Sequence, residues 1–386
     1  MRPRILCISF SDVNADSRVL RQLNVLAEFG DVTTLSYGDK PATAVEHLEI
    51  DSSLPSLPQT PVGVAALALR LHKYSSMSAP AVRRALQLVR GKTFDLIVAN
   101  EARALPLAHR IAGKHPQGAP IWGDMHEWAP EERTQVTSWR LLVKPLMEHI
   151  CKEYIPKTTA ISAVNGSIAK LYADRYGCDA VVVRNAGAYQ DLQPSPLNGS
   201  CIRLVHSGAA VPGRNLEGII EAVLDLGPGY SLDLYLIEAR DGGRYWKQLK
   251  DLSARSDQIF FHDAVPPQEL SSTLNAYDLG IYTLPPRTLN QRLMLPNKFF
   301  DFVQARLGVV FGPSPETSSI INEFKLGTIA RDFTSAALAD AIRALTGDDI
   351  RQLKANSHAA AHALSSKQDE DVEREILSRL LPTAKS

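Results

Sequence analysis

Residues 278–306 read DLGIYTLPPRTLNQRLMLPNKFFDFVQAR and set out one complete strand, loop and helix. The apolar run Asp278–Tyr282 predicts a strand, the proline-bearing segment after it a loop, and the pattern from Pro296 and Asn297 onward a helix. Proline suits a first helical position, because its missing N–H has no intrahelical partner there. Leu295 leads into this start, and Lys298 and Asp301 fall in the first turns. A helix N-terminus at a sheet edge presents unpaired N–H groups and the positive end of its dipole, which suits a diphosphate. Asp301, one turn in, offers a carboxylate to which two ribose hydroxyls can donate. Taken alone, the same residues also fit a solvated helix start.

The preceding unit has the same form. Residues 202–220, IRLVHSGAAVPGRNLEGII, read as a strand, a small-residue turn containing Gly208, and a helix opened by Gly213-Arg214-Asn215. Arg214 therefore reaches the same edge, where a guanidinium can hold a diphosphate bidentately. Outward from here, short β-rich runs alternate with helix-length segments along nearly the whole chain, the pattern of parallel sheets built from βαβ units. Strands are expected at 4–10, 31–36, 94–99, 119–124, 158–162 and 180–184, and again at 202–206, 232–237, 258–262, 278–282, 308–311 and 327–330. Between the first two, Asp16–Phe29 carries Val19, Leu20, Leu23, Leu26 and Ala27 on one helical face and stops at Gly30. The stretch DLQPSPLNGS (191–200) marks a domain boundary, giving 1–195 and 196–365 as two doubly wound domains. A charged amphipathic helix over 366–386 is expected to pack back on the first. Two such domains place a ligand at the carboxyl ends of their strands, in the cleft where they face one another.

Composition narrows the class. The chain has 386 residues, 45% hydrophobic and 22% charged, as an ordinary globular protein does. Lys plus Arg equals Asp plus Glu at 42 each, so no global field favours a nucleic acid partner. Cys7, Cys151, Cys178 and Cys201 show no metal-ligand spacing and read as reduced thiols of a cytoplasmic protein. The apolar run Ile5–Phe10 is too short for a signal-peptide core and reads as a first strand. No window is apolar enough to span a membrane. Gly91-Lys92-Thr93 lacks the glycine and the strand of a P-loop, and no GxGxxG follows the first strand. Asp369-Glu370-Asp371 reads as a solvated acidic helix face, and no metal site is expected.

The order of the remaining motifs resembles the GT-B glycosyltransferases, most closely the large retaining nucleotide-sugar family often called family four. Its donor half is matched by strand-HSG-x5-RN-helix, then FHDAVPPQEL (261–270), then LPNKFFDFVQARLGVV (295–310). In the first half, Asn14-Ala15-Asp16-Ser17-Arg18-Val19 resembles the family's ND-x-RV opening, and Asp124-Met125-His126-Glu127-Trp128 its D-x-HE segment. Thr159–Ser162 and Arg184-Asn185-Ala186 resemble a later pair, so the likeness runs over about residues 4 to 345.

The resemblance implies an α/β GT-B fold and a retaining transferase. His126 lines the donor sugar and takes part in catalysis, with Glu127 beside it as a second catalytic candidate, read from its position as orienting His126, capping a helix or acting as a base. Arg214 and Lys298 hold the diphosphate, Asp301 the ribose, and the backbone of Asp263, Ala264 and Val265 the base, while Asn14, Asp16 and Arg18 lie on the acceptor side. By position alone Asp16 serves equally as a helix N-cap. Three features depart from the pattern: Leu293 stands where a first acid is expected, the second acid is shortened to Asp301, and Arg214 has no second basic neighbour. The implied substrate is a UDP- or GDP-linked sugar with no separate cofactor, the transfer is metal-independent, and the acceptor is a saccharide or lipid-linked molecule in surface polysaccharide or glycolipid assembly. Rival readings are an inactive GT-B scaffold partnering an active transferase, a transferase for a small molecule or protein, and a sugar-nucleotide epimerase.

The acceptor half supplies one clue of its own. No acid occurs from Ser52 to Phe94, while Arg70, Lys73, Arg83, Arg84, Arg90 and Lys92 fall inside that window. Residues 1–190 hold 22 basic and 18 acidic side chains. A basic amphipathic surface of this kind can rest on an anionic membrane, which suggests a peripheral protein at the inner face. An ordinary surface helix pair fits the same residues.

Overall fold

Parallel strands covered on both faces must be apolar throughout, and runs such as LIVAN (96–100) and GVVF (308–311) meet that demand. In the computed structural model, which describes residues 2–115, 118–197, 199, 201–239, 241–254 and 256–381, these runs form two sheets. The first contains β1 (Arg4–Asp12), β2 (Asp31–Tyr37), β3 (Glu46–Glu49), β4 (Leu96–Asn100), β5 (Ile121–Met125), β6 (Ala160–Ala163) and β7 (Ala180–Val182). The second contains β8 (Ile202–Ala210), β9 (Tyr230–Glu238), β10 (Ile259–Asp263), β11 (Leu279–Tyr282), β12 (Gly308–Phe311) and β13 (Gly327–Ile329). Their orders are β3-β2-β1-β4-β5-β6-β7 and β10-β9-β8-β11-β12-β13, with parallel pairing throughout. The α/β, doubly wound architecture expected from the alternation is the one observed. Strand order reverses between β1 and β4 in one sheet and between β8 and β11 in the other, so each sheet has its own switch point at which strand ends open a crevice.

Only β3 adds to the strands read from the sequence. It is a four-residue edge strand, EHLE, with Leu48 buried and His47 held by Thr34 Oγ1 at 2.9 Å and by the Gly38 carbonyl at 2.9 Å.

The chain divides into two compact units, residues 1–184 with 288–290 and 369–386, and residues 185–287 with 291–368. The division falls earlier than the composition change at 191–200 suggested. The segment after Arg184 is fastened to the second unit: the Gln190 amide donates to Gln304 Oε1 (3.0 Å), Arg306 Nε donates to the Leu192 carbonyl (3.1 Å), and Asn275 Nδ2 donates to the Gln193 carbonyl (2.9 Å).

The terminal helix, Ser366–Leu380, buries Ile376 and Leu377 in the first unit's core with Ile5, Val19, Leu23 and Trp122. Residues 382–386 lie outside the described residues. The solvated reading of 369–371 needs correction, because Asp369 is buried, accepting from the Arg184 amide (2.9 Å) and pairing with its Nε (3.0 Å). Asp371 alone of the three is exposed. In the second unit, the helix Asn297–Gln304 lays Phe299, Phe300 and Phe302 into the core. It approaches β11 so closely that a Cβ on Gly280 would collide with the Phe302 ring. That contact fixes where the helix N-terminus stands relative to the strand ends.

Candidate functional site

Each unit gathers charged side chains at its switch point, and in the first they converge on the end of β5. Asp124 is fully buried, and Arg18 grips it with two bonds, Nε to Oδ2 at 2.8 Å and Nη2 to Oδ1 at 2.6 Å. Arg18 Nη1 also donates to the Val183 carbonyl (2.8 Å), and Ser162 Oγ donates to Asp124 Oδ1 (2.5 Å). Burial by itself raises a carboxyl pKa, but the guanidinium outweighs it and holds Asp124 far below the usual carboxylate range. The fixed anion then orients His126, whose Nε2 lies 3.3 Å from Asp124 Oδ2 and 3.2 Å from Asn100 Oδ1. Burial disfavours the imidazolium, yet the bond and charge of Asp124 prevail and raise the His126 pKa. Nδ1 is left 4.0 Å from Glu101 Oε1.

Glu101, Arg103, His126, Glu127 and Glu132 line a recess of about 200 Å³ here. In this recess loss of hydration, with the nearby Glu132 and Glu101 charges, pushes the Glu127 carboxyl up to about 7. Glu132 is raised for the same first reason. Glu101 adopts φ +69°, a left-handed conformation costly for a side chain other than glycine, and its carboxylate is paired with Arg103. Neither residue was legible as a site beforehand. The signal for them was their place just past the apolar run of β4, at a switch point that only the strand order reveals.

The three acceptor-side candidates separate. Asp16 caps the helix Ser17–Phe29, its Oδ1 accepting from the Val19 amide at 3.2 Å and its Oδ2 from Ser11 Oγ at 3.0 Å. Asn14 is exposed and donates from Nδ2 to the Asp39 carbonyl (2.9 Å). Arg18 is buried, its guanidinium bonded to Asp124 and to the Val183 carbonyl.

In the second unit, β8 and β11 end side by side and the helix Asn297–Gln304 begins there, its N-cap Pro296 providing no side-chain cap. Lys298 sends its ammonium over Gly208, whose φ is +139°, and a Cβ at that position would collide with Nζ. The same ammonium lies 5.6 Å from the Tyr282 ring centre. Tyr282 stacks on His206 (5.9 Å, 3°), which donates from Nδ1 to the Ile281 carbonyl (2.9 Å). Burial and the nearby Lys298 charge push His206 down to about 3, so it is a neutral packing partner. Burial first, and then Arg214, lower Lys298 to about 8 against the opposing pull of Asp301. A diphosphate held by both cations reverses that effect, because an anion between like charges stabilises each of them. Gly187 leaves room beside Asp301, whose Oδ1 lies 3.8 Å from where a Cβ would stand.

Gly208, Arg214, Asn297, Lys298 and Asp301 are thus brought to one crevice. Asp263 and Ala264 are exposed and Val265 half-buried, at the end of β10 two strands away along the same carboxyl edge. The Leu295 side chain is buried in the core. Tyr282 and His206 were missed because apolar strand residues carry no sign of what stacks beneath a cation. Among the described residues, no cluster of His, Cys, Asp and Glu is placed to hold a metal ion.

No protein-family model and no curated protein matches the chain. Solved structures do. HepE from Anabaena, in complex with UDP, superposes with a TM-score of 0.71 at 15% identity, over 98% of this chain and 100% of its own. A glycosyltransferase from Rickettsia africae gives 0.70 at 13%, over 99% and 100%. A UDP-forming α,α-trehalose-phosphate synthase from Burkholderia xenovorans gives 0.67 at 13%, over the full length of both. At such identities the likeness speaks for architecture alone: this chain has the fold of the GT-B glycosyltransferases.

Proposed function

We propose that the protein transfers a sugar from a nucleoside diphosphate sugar to an acceptor, with the second unit binding the donor. The observation that carries this reading is the convergence of Lys298 and Arg214, beside an uncapped helix start and Asp301, on the β8/β11 switch point. Two fixed cations and a helix N-terminus stabilise the charge that grows on a departing diphosphate without solvent rearrangement. That division of labour supports metal-independent transfer. UDP is the first nucleotide to test, since HepE is described in complex with UDP and with UDP-glucose; GDP is the alternative. Retaining stereochemistry, a saccharide or lipid-linked acceptor in surface polysaccharide or glycolipid assembly, and a peripheral place at the cytoplasmic face of a membrane belong to the same reading. No described helix is long and apolar enough to cross a membrane.

In the first unit, His126 presents a ring held by Asp124 and Asn100 to the recess, where it serves the sugar in the transition state. His126→Ala should lower kcat by about 10²-fold, the scale of one preorganised transition-state contact, and leave UDP affinity within about twofold. A fall in melting temperature with normal specific activity assigns it a structural role instead. Asp301→Asn should weaken UDP more than 2′-deoxy-UDP in calorimetry, and equal losses remove Asp301 from the ribose. The deciding experiment incubates the chain with UDP- and GDP-sugars in EDTA and follows hydrolysis and the product anomer by NMR. Leu293, in place of an expected acid, favours an inactive scaffold as the second reading. Nucleotide binding with no turnover of any donor establishes it.

A further inference from the structure

Away from both crevices, the first unit has a strongly basic depression of about 420 Å³. Arg70, His72, His149, Lys152 and Arg175 line it, with Glu148 as the one acid among the lining residues. His72 and His149 stack with ring centres 5.2 Å apart, and His72 Nδ1 is buried with no hydrogen-bond partner among the described residues. Lys152 and Arg175 are exposed, and no carboxylate pairs with either among the described residues. Burial is the first cause that lowers the pKa of His72 and of His149; His149 and Arg70 add to it at His72, and at His149 Glu153 opposes it while Lys73 and Lys152 add to it.

The rim is apolar. Leu69 and Leu71, 70% and 52% exposed, flank Arg70, and Arg70 Nη1 donates to the carbonyl of Leu141 (2.9 Å), itself 56% exposed. Arg70 has φ +57°, just past the helix Pro61–Ala68, at a position where glycine is the relaxed choice. Val62 and Tyr74 are exposed on the same segment, and Arg83 Nη2 donates to the Tyr74 hydroxyl (3.0 Å). Cations able to hold a compact anion, with exposed leucines beside Arg70, match the interface of a bilayer, where phosphate and hydrocarbon meet.

We propose that this depression binds the phosphate group of an anionic lipid head group while Leu69, Leu71 and Leu141 enter the acyl boundary. The proposal rests on the peripheral-membrane part of the function above and supplies the chemistry of the contact.

Cosedimentation with phosphatidylcholine vesicles, with and without phosphatidic acid, tests it on the full chain. The double variant Lys152→Gln/Arg175→Gln should weaken binding to the phosphatidic acid vesicles about thirtyfold, since each cation near an anionic surface is worth roughly a factor of five. Arg83→Gln/Arg84→Gln, which removes equal charge outside the depression, should cost about fivefold or less. Both pairs are exposed, and unchanged melting checks that folding is intact. Equal losses in the two variants mean diffuse attraction and overturn the site. If wild type binds no vesicle, the membrane reading fails, and titration of the His72 and His149 ring protons with inorganic phosphate decides the depression separately. A saturating shift abolished by Lys152→Gln/Arg175→Gln keeps a phosphate site but overturns its assignment to lipid; no shift overturns the site itself.

Discussion

Arg18→Ala should destabilise the first unit by about 3–5 kcal/mol, the cost of leaving one partner of a buried ion pair uncompensated. Asp124 is inaccessible to water and accepts two bonds from this guanidinium, so deletion strands a buried anion with Ser162 Oγ and His126 as remaining partners. Gln22 Nε2 (3.4 Å) is a further remaining donor to Asp124. Chemical denaturation should report the loss, and Asp124→Asn in the same background should recover part of it by removing the stranded charge. A single-variant loss below about 1 kcal/mol, the scale of an exposed pair, contradicts the buried geometry. The sign with pH follows from the shifts. Asp124 is depressed, so its contribution holds above its unfolded pKa of about 3.9 and is lost only as pH falls below that. His126 is raised, so its contribution is complete below about 6.5 and disappears as pH rises through its folded value. Wild type should therefore lose its stability advantage over His126→Ala on the alkaline side.

Lys298→Ala should weaken binding of a nucleoside diphosphate by about 1.5–3 kcal/mol, the worth of a charge-assisted contact in a largely desolvated place. Calorimetry with UDP and GDP measures it, and unchanged affinity takes Lys298 out of the site. A second signature comes from its low pKa of about 8. The ammonium that meets a diphosphate must be protonated, so above pH 8 the free protein takes up a proton on binding and affinity falls by up to about tenfold per pH unit. Below pH 7 that dependence vanishes. Lys298→Ala should bind weakly with a flat profile across pH 7 to 9. Gly208→Ala should act in the same direction, because its methyl group would displace Nζ.

Much of this protein can be read along the chain. Strands such as LIVAN and GVVF are buried on both faces and announce themselves as unbroken apolar runs. The edge strand EHLE does not, because an edge needs to bury only one face. Arg214 sits at a turn between a strand and a helix and Lys298 and Asp301 in the first turns of the next helix, where local order dictates which end of the sheet the residue must occupy. The alternation of elements, carried by backbone hydrogen bonding and apolar periodicity over short spans, thus determined the doubly wound architecture and the end of the sheet at which the β8/β11 crevice opens. Asp369 reads as a surface acid in an acidic run and is buried on Arg184, 185 residues away. Arg18 reads as part of an N-terminal motif, and its guanidinium is bonded to Asp124, 106 residues away. Glu101 and Glu132 share one recess with His126 although neither spacing nor pattern links them to it. Whether a charge is buried, and which distant charge answers it, depends on desolvation and on Coulombic distance through the fold, and those two quantities exist only once the tertiary structure has formed.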